Sequence, residues 1–368
     1  MHRFTLNKTI SFLLFFILAT AILYFARKFL IPISFGVLFA MLFTPLSARF
    51  ENRGIHRALA ALLCILLFLL IIAAVIMLLS WQLSDLSEDL NQMYRKLAEL
   101  WAQMQQFIVE KFNITIEKQK EILQEQQSSG GGTAGRIAAS FAGTVFGTLV
   151  NFILVLVYIF LFMYYRQRIK EGILRLVPAG ERENTARIVR DASKVSQQYL
   201  LGLGSMIVML WIMYGIGFSI VGVKSAFLFA VICGLLEIVP FIGNLTGTTI
   251  TLLMVLSQGG NAQMVAGVIV TYMLVQFIQT YILEPLVVGA KVNINPLFTI
   301  LILVGAEMVW GIPGMVLAIP ILGIVKIICD HIEPLKPYGF LIGENSGKKN
   351  GSRWLAQFKA WGRHKLPD

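Results

Sequence analysis

The sequence predicts an all-α protein that crosses a membrane with about eight spans, two of them broken or re-entrant, plus an extramembrane helical region. Hydrophobic residues make up 57% of the 368 residues and charged residues only 14%, whereas soluble domains carry roughly 25% charged residues. Segments of about 20 apolar residues, the length that crosses a bilayer, recur along the chain. Composition and segment length together indicate a polytopic helical membrane protein whose main partner is the lipid bilayer.

The candidate spans follow one another along most of the chain. They cover residues 10–26, 29–46, 58–79, 137–165, 201–221, 225–256, 263–283 and 296–325. The sixth and eighth spans are about 30 residues long, more than a straight crossing requires, and each contains a proline/glycine break. Each of them is either one long, partly unwound helix or a re-entrant hairpin of two half-helices.

Loop charges indicate an orientation. Residues 49–57 hold three Arg against one acid, residues 166–194 hold eight Lys or Arg against four acids, and residues 83–135 hold five Lys or Arg against eight acids. Because loops rich in Lys and Arg stay in the cytoplasm, we expect cytoplasmic N- and C-termini and an external segment at residues 83–135. The same rule explains the net charge of +11, so nucleic acid is not an expected partner.

The predicted organisation has six parts. They are the first three spans (1–82), an extracytoplasmic helical segment with a Gly/Ser linker (83–135), the fourth span (136–165), cytoplasmic amphipathic helices (166–200), a transport core with two broken spans (201–331) and a cytoplasmic amphipathic tail (332–368). The external segment has a heptad seam, formed by Leu83, Leu86, Leu90, Met93, Leu97, Leu100, Met104 and Phe107. This seam predicts either a contact between subunits or an internal hairpin.

Charged residues are rare in the core. Residues 201–325 contain only Lys224, Glu237, Glu284, Lys291 and Glu307. An intramembrane carboxyl is costly and is by default a candidate for function. Broken backbone at membrane depth is tolerated only where protein or a wet cavity covers it. Acids next to helix breaks therefore predict a polar pathway, as in a transporter.

Glu237 precedes the first break, which contains Pro240, Gly243 and Asn244. Proline lacks an amide donor and clashes with the preceding helical turn, and glycine permits a sharp reversal. Backbone groups beside Glu237 are then available to a cation or a polar solute, and half-helix ends supply oriented dipoles. The alternative is a proline kink that leaves Glu237 near the membrane interface, where a carboxyl costs little.

A polar stripe marks the end of the seventh span. Gln276 and Gln279 are three residues apart and share a helix face, and Glu284 and Pro285 follow them. We expect these four residues to belong to the transport pathway. Two alternatives stay open, because the glutamines could simply join neighbouring helices by hydrogen bonds and Glu284 could lie in interfacial water.

Glu307 precedes the second break, at Gly311 and Gly314. The order loosely repeats the first break, with a glycine, then an acid, then a proline/glycine interruption. Paired interrupted segments are a sequence sign of a binding site between inverted repeats, although a repeat this short can also arise by coincidence. Because unwound backbone cannot face lipid, we predict that the two breaks face each other and line one cavity.

Other functional classes have little support. The spans contain no His and no Asp, so we expect no catalytic residues, no metal site and no cofactor. The chain has no nucleotide-binding motif, so transport would depend on an ion gradient or on the gradient of the solute itself. A non-transporting scaffold that works through the external segment is the remaining alternative, but a scaffold does not need acids beside helix breaks.

Several short motifs follow one another in a fixed order. They are Leu176-Val-Pro178, Glu237-Ile-Val-Pro-Phe-Ile-Gly243, Gln279 with Glu284-Pro285, Asn295-Pro296, Gly311-Ile-Pro-Gly314 and Ile319-Pro320. The set resembles the autoinducer-2 exporter (AI-2E) family of bacterial membrane proteins, from the first span to the region of His331. The resemblance implies a bacterial inner-membrane protein that exports a small polar solute, in some members the quorum-sensing signal autoinducer-2. It implies Na⁺(Li⁺)/H⁺ antiport in other members, and a homo-oligomer such as a pentamer.

Overall fold

Helices make up most of the described part of the chain. The computed structural model describes residues 6–84, 133–239, 242–257, 259–289 and 294–344. The helices are α1 (Leu6–Phe25), α2 (Arg27–Glu51), α3 (Arg57–Ser84), α4 (Thr133–Tyr164), α5 (Arg166–Arg175), α6 (Arg182–Val221), α7 (Ala226–Leu236), α8 (Ile242–Ser257), α9 (Ala262–Ile278), α10 (Pro296–Trp310), α11 (Ile312–His331) and α12 (Lys336–Ile342). A π-helical segment, Gln279–Gly289, continues α9, and short 3₁₀ turns lie at Ala179–Glu181 and Glu333–Leu335.

The prediction of a polytopic helical membrane protein is confirmed. Within the described residues, six helical stretches are long and apolar enough to cross a bilayer: Arg27–Glu51, Arg57–Gln82, Gly147–Tyr164, Ala179–Val221, Ala262–Glu284 and Ile312–His331. Three shorter apolar helices are Leu13–Phe25, Ala226–Leu236 and Pro296–Trp310. Large apolar side chains are exposed along many of these helices, such as Phe15 and Phe16 on α1. Such a surface suits lipid, which does not penalise exposed hydrocarbon.

Two groups of helices form separate cores. In the first, α2, α3 and α4 bury Phe43, Ile159 and Met163 between them. In the second, α6, α7, α8 and α9 enclose Leu210 and Tyr214 together with other apolar side chains. The 40-residue helix α6 connects the groups, because its N-terminal part packs on α2 and its C-terminal part on α7 and α9. The sequence interpretation divided this helix into an amphipathic part and a span, but the structure shows one continuous helix.

Small residues permit close helix contacts at the centre of these groups. A Cβ atom on Gly36 of α2 would lie 2.5 Å from Cβ of Tyr158 in α4. A Cβ atom on Gly217 of α6 would lie 2.2 Å from Cγ2 of Thr271 in α9. Small residues at such crossings let membrane helices approach closely, and dispersion forces then stabilise the contact.

Both long apolar segments are hairpins, which answers the question that their length left open. Helix α7 packs against α8, and α10 packs against α11. In the first hairpin a Cβ atom on Gly243 would lie 1.7 Å from the carbonyl oxygen of Leu236, so only glycine fits. In the second, Gly311 has a φ of 64° and a Cβ atom on Gly314 would lie 2.1 Å from the carbonyl oxygen of Ala306. Both reversals therefore depend on glycine.

Some predictions concern residues outside the described ranges. Pro240 is one of them, and so are the heptad seam beyond Ser84, the Gly/Ser linker before Thr133 and the amphipathic tail after Glu344. For these segments the sequence predictions stand as predictions.

Candidate functional site

The carboxyl of Glu237 lies at the C-terminal end of α7, directly before the first break. Its Oε1 accepts a hydrogen bond of 2.9 Å from Nε2 of Gln279. Gln279 has only 6% of its surface exposed, and it is the first residue of the π-helical segment. π-helical turns often occur at functional sites. The structure thus joins the first break directly to the polar stripe of the seventh span.

A second contact joins the same two elements. Nδ2 of Asn244, in the first turn of α8, donates a hydrogen bond to Oε1 of Gln276 in α9. Nε2 of Gln276 in turn lies 3.5 Å from Oγ1 of Thr280, and Tyr272, one turn before Gln276, contacts Asn244. We call Glu237, Asn244, Gln276 and Gln279 the amide–carboxyl cluster. Its members come from both arms of the first hairpin and from the helix beside it.

The cluster leaves several buried polar atoms without a partner. Within the described residues no hydrogen bond reaches Oε2 of Glu237, Oδ1 of Asn244 or Oε1 of Gln279. A buried polar atom without a partner costs about 1–3 kcal/mol. Because the amide nitrogens of Asn244 and Gln279 are already used within the cluster, the free atoms on these three residues are all acceptors. A ligand that brings hydrogen-bond donors or positive charge would satisfy them.

Trp211 of α6 adds a donor near the same hairpin. Its indole packs against Gly234 of α7, where a Cβ atom would lie 2.4 Å from Cδ1 and 2.6 Å from Nε1 of Trp211. Nε1 is buried and has no acceptor within the described residues. Sequence analysis missed Trp211 because it lies in an apolar helix whose pattern indicates packing. The available signal was that a buried tryptophan N–H ordinarily needs a partner.

Glu284 lies at the edge of this site. It belongs to the π-helical segment and is exposed, and its carboxyl lies in the neighbourhood of Glu237. The backbone of Pro285 belongs to the same segment, but its side chain lies outside the described residues. The structure therefore places Glu284 beside the amide–carboxyl cluster and outside its buried part.

The second break has different neighbours from the first. Helix α10, which carries Glu307, packs on α1, α2 and α11, and the Glu307 side chain is exposed. Nε1 of Trp310 donates a hydrogen bond of 2.9 Å to the carbonyl oxygen of Leu23 in α1. A cavity of about 500 Å³ beside this hairpin is lined by Trp310, Pro313, Arg27 and Lys28, among others. The described contacts thus do not support a single cavity shared by both breaks, and the role predicted for Glu307, Gly311 and Gly314 stays a prediction.

Comparison with known proteins agrees with this architecture. The sequence profile of the AI-2E family transporter matches residues 13–333, most of the chain. This chain belongs to the AI-2E transporter family. The match includes the amide–carboxyl cluster and both hairpins. Membership of a transporter family also agrees with the expectation that the protein is not an enzyme.

Curated relatives of this AI-2E family member are named as transport proteins. "Putative transport protein YueF" of Bacillus subtilis is 27% identical over 202 residues, which are 53% of this chain and 54% of the relative. "Putative transport protein YrrI" of the same organism is 26% identical over 203 residues, 52% of this chain and 57% of the relative. A "Putative transport protein" of Borreliella burgdorferi is 24% identical over 208 residues, 55% of this chain and 58% of the relative. The chain thus spans about half the length of these relatives.

Proposed function

We propose that this protein is a secondary transporter that exports a small polar solute across the bacterial inner membrane, and that the amide–carboxyl cluster is its solute site. The observation that carries the proposal is the group of buried acceptor atoms on Glu237, Asn244 and Gln279, which have no partner within the described residues. A solute with several hydroxyl or amine donors would form hydrogen bonds with these acceptor atoms. Autoinducer-2, which the family resemblance suggests, is one candidate of this class.

The position of the cluster favours transport over a purely structural role. A structural network of hydrogen bonds is normally complete, because each unpaired buried atom destabilises the protein. The cluster also joins a hairpin to a π-helical segment, and interrupted helices are the usual place for substrate and ion sites in secondary transporters. A non-transporting scaffold would have no use for such a site.

The second candidate function is Na⁺(Li⁺)/H⁺ antiport. It is favoured by the chemistry of the free atoms, since a carboxylate oxygen and two amide oxygens are suitable ligands for a hard cation. Glu237 could then exchange the cation for a proton. Among the described residues no group of three or more His, Cys, Asp or Glu is placed to hold a metal ion, so any such site would be a transport site built largely from amides.

Vesicle transport assays separate the two candidates. The purified chain is reconstituted in liposomes, and the movement of a panel of labelled polar solutes, including autoinducer-2, is measured with and without an imposed pH or Na⁺ gradient. In a second arm without solute, a pH-sensitive dye reports proton movement after addition of Na⁺ or Li⁺. Solute movement supports export, and proton movement alone supports antiport.

Glu237→Gln is the variant that tests the site. It keeps the shape of the side chain but removes the charge that Gln279 contacts, and a hydrogen bond to a charged group contributes about 1.5–3 kcal/mol. We expect transport to fall roughly tenfold to 100-fold. Glu171→Gln on α5 removes an exposed carboxyl distant in sequence from the cluster and should keep the wild-type rate. Equal rates for both variants would reject the amide–carboxyl cluster as the transport site.

The proposal also includes the orientation of the protein in the membrane and its assembly into an oligomer. The basic content of residues 49–57 and 166–194 supports cytoplasmic termini. The heptad seam of residues 83–107 supports assembly into a homo-oligomer, such as a pentamer, because eight apolar residues at coiled-coil spacing need a partner surface.

A further inference from the structure

A second cavity lies outside the candidate transport site, between α2, α5 and α6. Its volume is about 640 Å³, within the range of roughly 300–1,000 Å³ that is typical of ligand pockets. The part of its wall on α2 is largely apolar and includes Val37, Ala40 and Met41. The part on α5 and α6 carries four cationic side chains and one acidic side chain among apolar ones. The cavity therefore has an apolar end and a positive end.

The charged end is held in place by an ion pair and a hydrogen bond at the end of α2. Nη2 of Arg166 lies 2.7 Å from Oε2 of Glu51, and both side chains are about four-fifths buried, with 21% and 18% exposed. Ser47 donates a hydrogen bond of 2.9 Å to Oε1 of Glu51. These contacts join α2 to the first residue of α5 and fix the position of the cavity relative to the span.

The cavity extends along α2 from this charged end. Val37 lies about 20 Å from Glu51 and Thr44 about 10 Å from it, at 1.5 Å per helical residue. One half of the hydrocarbon core of a bilayer is about 15 Å thick. The apolar part of the cavity thus reaches the depth of one leaflet, and Arg166, which pairs with Glu51, lies at the level expected for lipid headgroups.

Not all of the cations are neutralised within the protein. Arg166 pairs with Glu51, and Arg187 pairs with Glu183. Arg190 has only a contact of 4.0 Å to Asp191, and Lys170 has no ion pair within the described residues. Two cations beside an apolar wall favour a ligand that is negatively charged at one end and apolar at the other.

We propose that this cavity binds an anionic phospholipid of the predicted cytoplasmic leaflet, with the phosphate at Lys170 and Arg190 and an acyl chain along Val37 and Met41. Basic pockets between membrane helices on the cytoplasmic side suit anionic headgroups, and Arg binds phosphate oxygens through its planar fork of donors. The C-terminal tail does not suit the cavity, because residues 345–368 hold six Lys or Arg and one acid. This proposal does not depend on what the protein transports.

The test uses the full chain purified in mild detergent and titrated with phosphatidylglycerol or phosphatidylcholine of the same chain length, with bound lipid counted by native mass spectrometry. The test variant carries Lys170→Gln and Arg190→Gln. The matched control carries Arg175→Gln and Arg182→Gln, which also remove one cation from α5 and one from α6. Both control positions are exposed and neither lines the cavity.

We expect the wild type and the control to retain phosphatidylglycerol in preference to phosphatidylcholine. The test variant should bind phosphatidylglycerol roughly 30-fold more weakly, which corresponds to about 1 kcal/mol for each removed cation. Val37→Trp, which fills the apolar end, should also weaken binding. Equal binding by test variant and control would overturn the proposal, as would equal binding of the two lipids. Displacement of the lipid by millimolar inorganic phosphate, with no effect of Val37→Trp, would also overturn it by assigning the site to a free anion.

Discussion

The close contact between α6 and α9 should require glycine at position 217, because there is no room there for a side-chain methyl group. In a Gly217→Ala variant the new Cβ atom would lie 2.2 Å from Cγ2 and 3.1 Å from Oγ1 of Thr271. Thr271 is buried, with 7% of its surface exposed, and its β-branched side chain has little rotamer freedom in a helix. Overpacking of this kind destabilises a protein by about 1–3 kcal/mol. The variant should also disturb the helix that carries Gln276 and Gln279.

Gly215 provides the matched control, since it lies two residues earlier on the same helix. A Cβ atom there would lie 3.8 Å from Cβ of Ala230, an ordinary contact. Gly215→Ala should therefore stabilise the helix by about 0.5–1 kcal/mol through lower backbone entropy. The two substitutions are chemically identical, so the entropy gain cancels, and the difference between them, roughly 1–3 kcal/mol, reports packing at Gly217 alone.

Thermal unfolding in mild detergent measures both effects. We expect the apparent melting temperature to fall for Gly217→Ala and to stay equal or rise for Gly215→Ala. Thr271→Ser removes the methyl group that the new Cβ atom would meet, so the Gly217→Ala/Thr271→Ser pair should recover much of the loss. If Gly217→Ala melts at or above Gly215→Ala, or if Thr271→Ser restores nothing, the close approach of α6 and α9 is refuted.

Three further predictions concern the second hairpin, the indole donor and assembly. Gly314→Ala should lower the melting temperature strongly, because its Cβ atom would meet a backbone carbonyl that cannot rotate away. The control Gly305→Ala should not lower it, because its Cβ atom would meet nothing within 4 Å. Equal melting temperatures for the two variants would contradict the tight reversal. Trp211→Phe removes an N–H without a partner and should keep the stability while changing solute movement in vesicles; an unchanged transport profile would exclude the indole from the site. Leu90→Asp with Leu97→Asp should reduce the particle mass of an oligomeric wild type in mild detergent, and an unchanged oligomer would assign the seam to an internal hairpin.

Hydropathy was sufficient to predict the helical membrane fold. A span must be apolar over about 20 residues, so it can be recognised from the local composition of the chain. The charge bias of residues 49–57 and 166–194 predicts orientation for the same reason. Glu237 and Gln279 could also be named as candidates, because a polar group in an apolar span is conspicuous without any knowledge of its neighbours.

Only the tertiary structure decided which of these polar groups meet. Glu237 and Gln279 are 42 residues apart in the sequence. Their contact depends on the reversal at Gly243 and on the π-helical turn, and the geometry of neither can be derived from the sequence. Glu307 has a loosely similar local pattern to Glu237, yet its helix packs on α1 and α2. For Trp211 the sequence shows only an indole N–H in an apolar helix, because the environment of this side chain is set by α7 across the helix contact. Composition is a local property of a chain, whereas the partners of a buried polar atom depend on packing between distant segments.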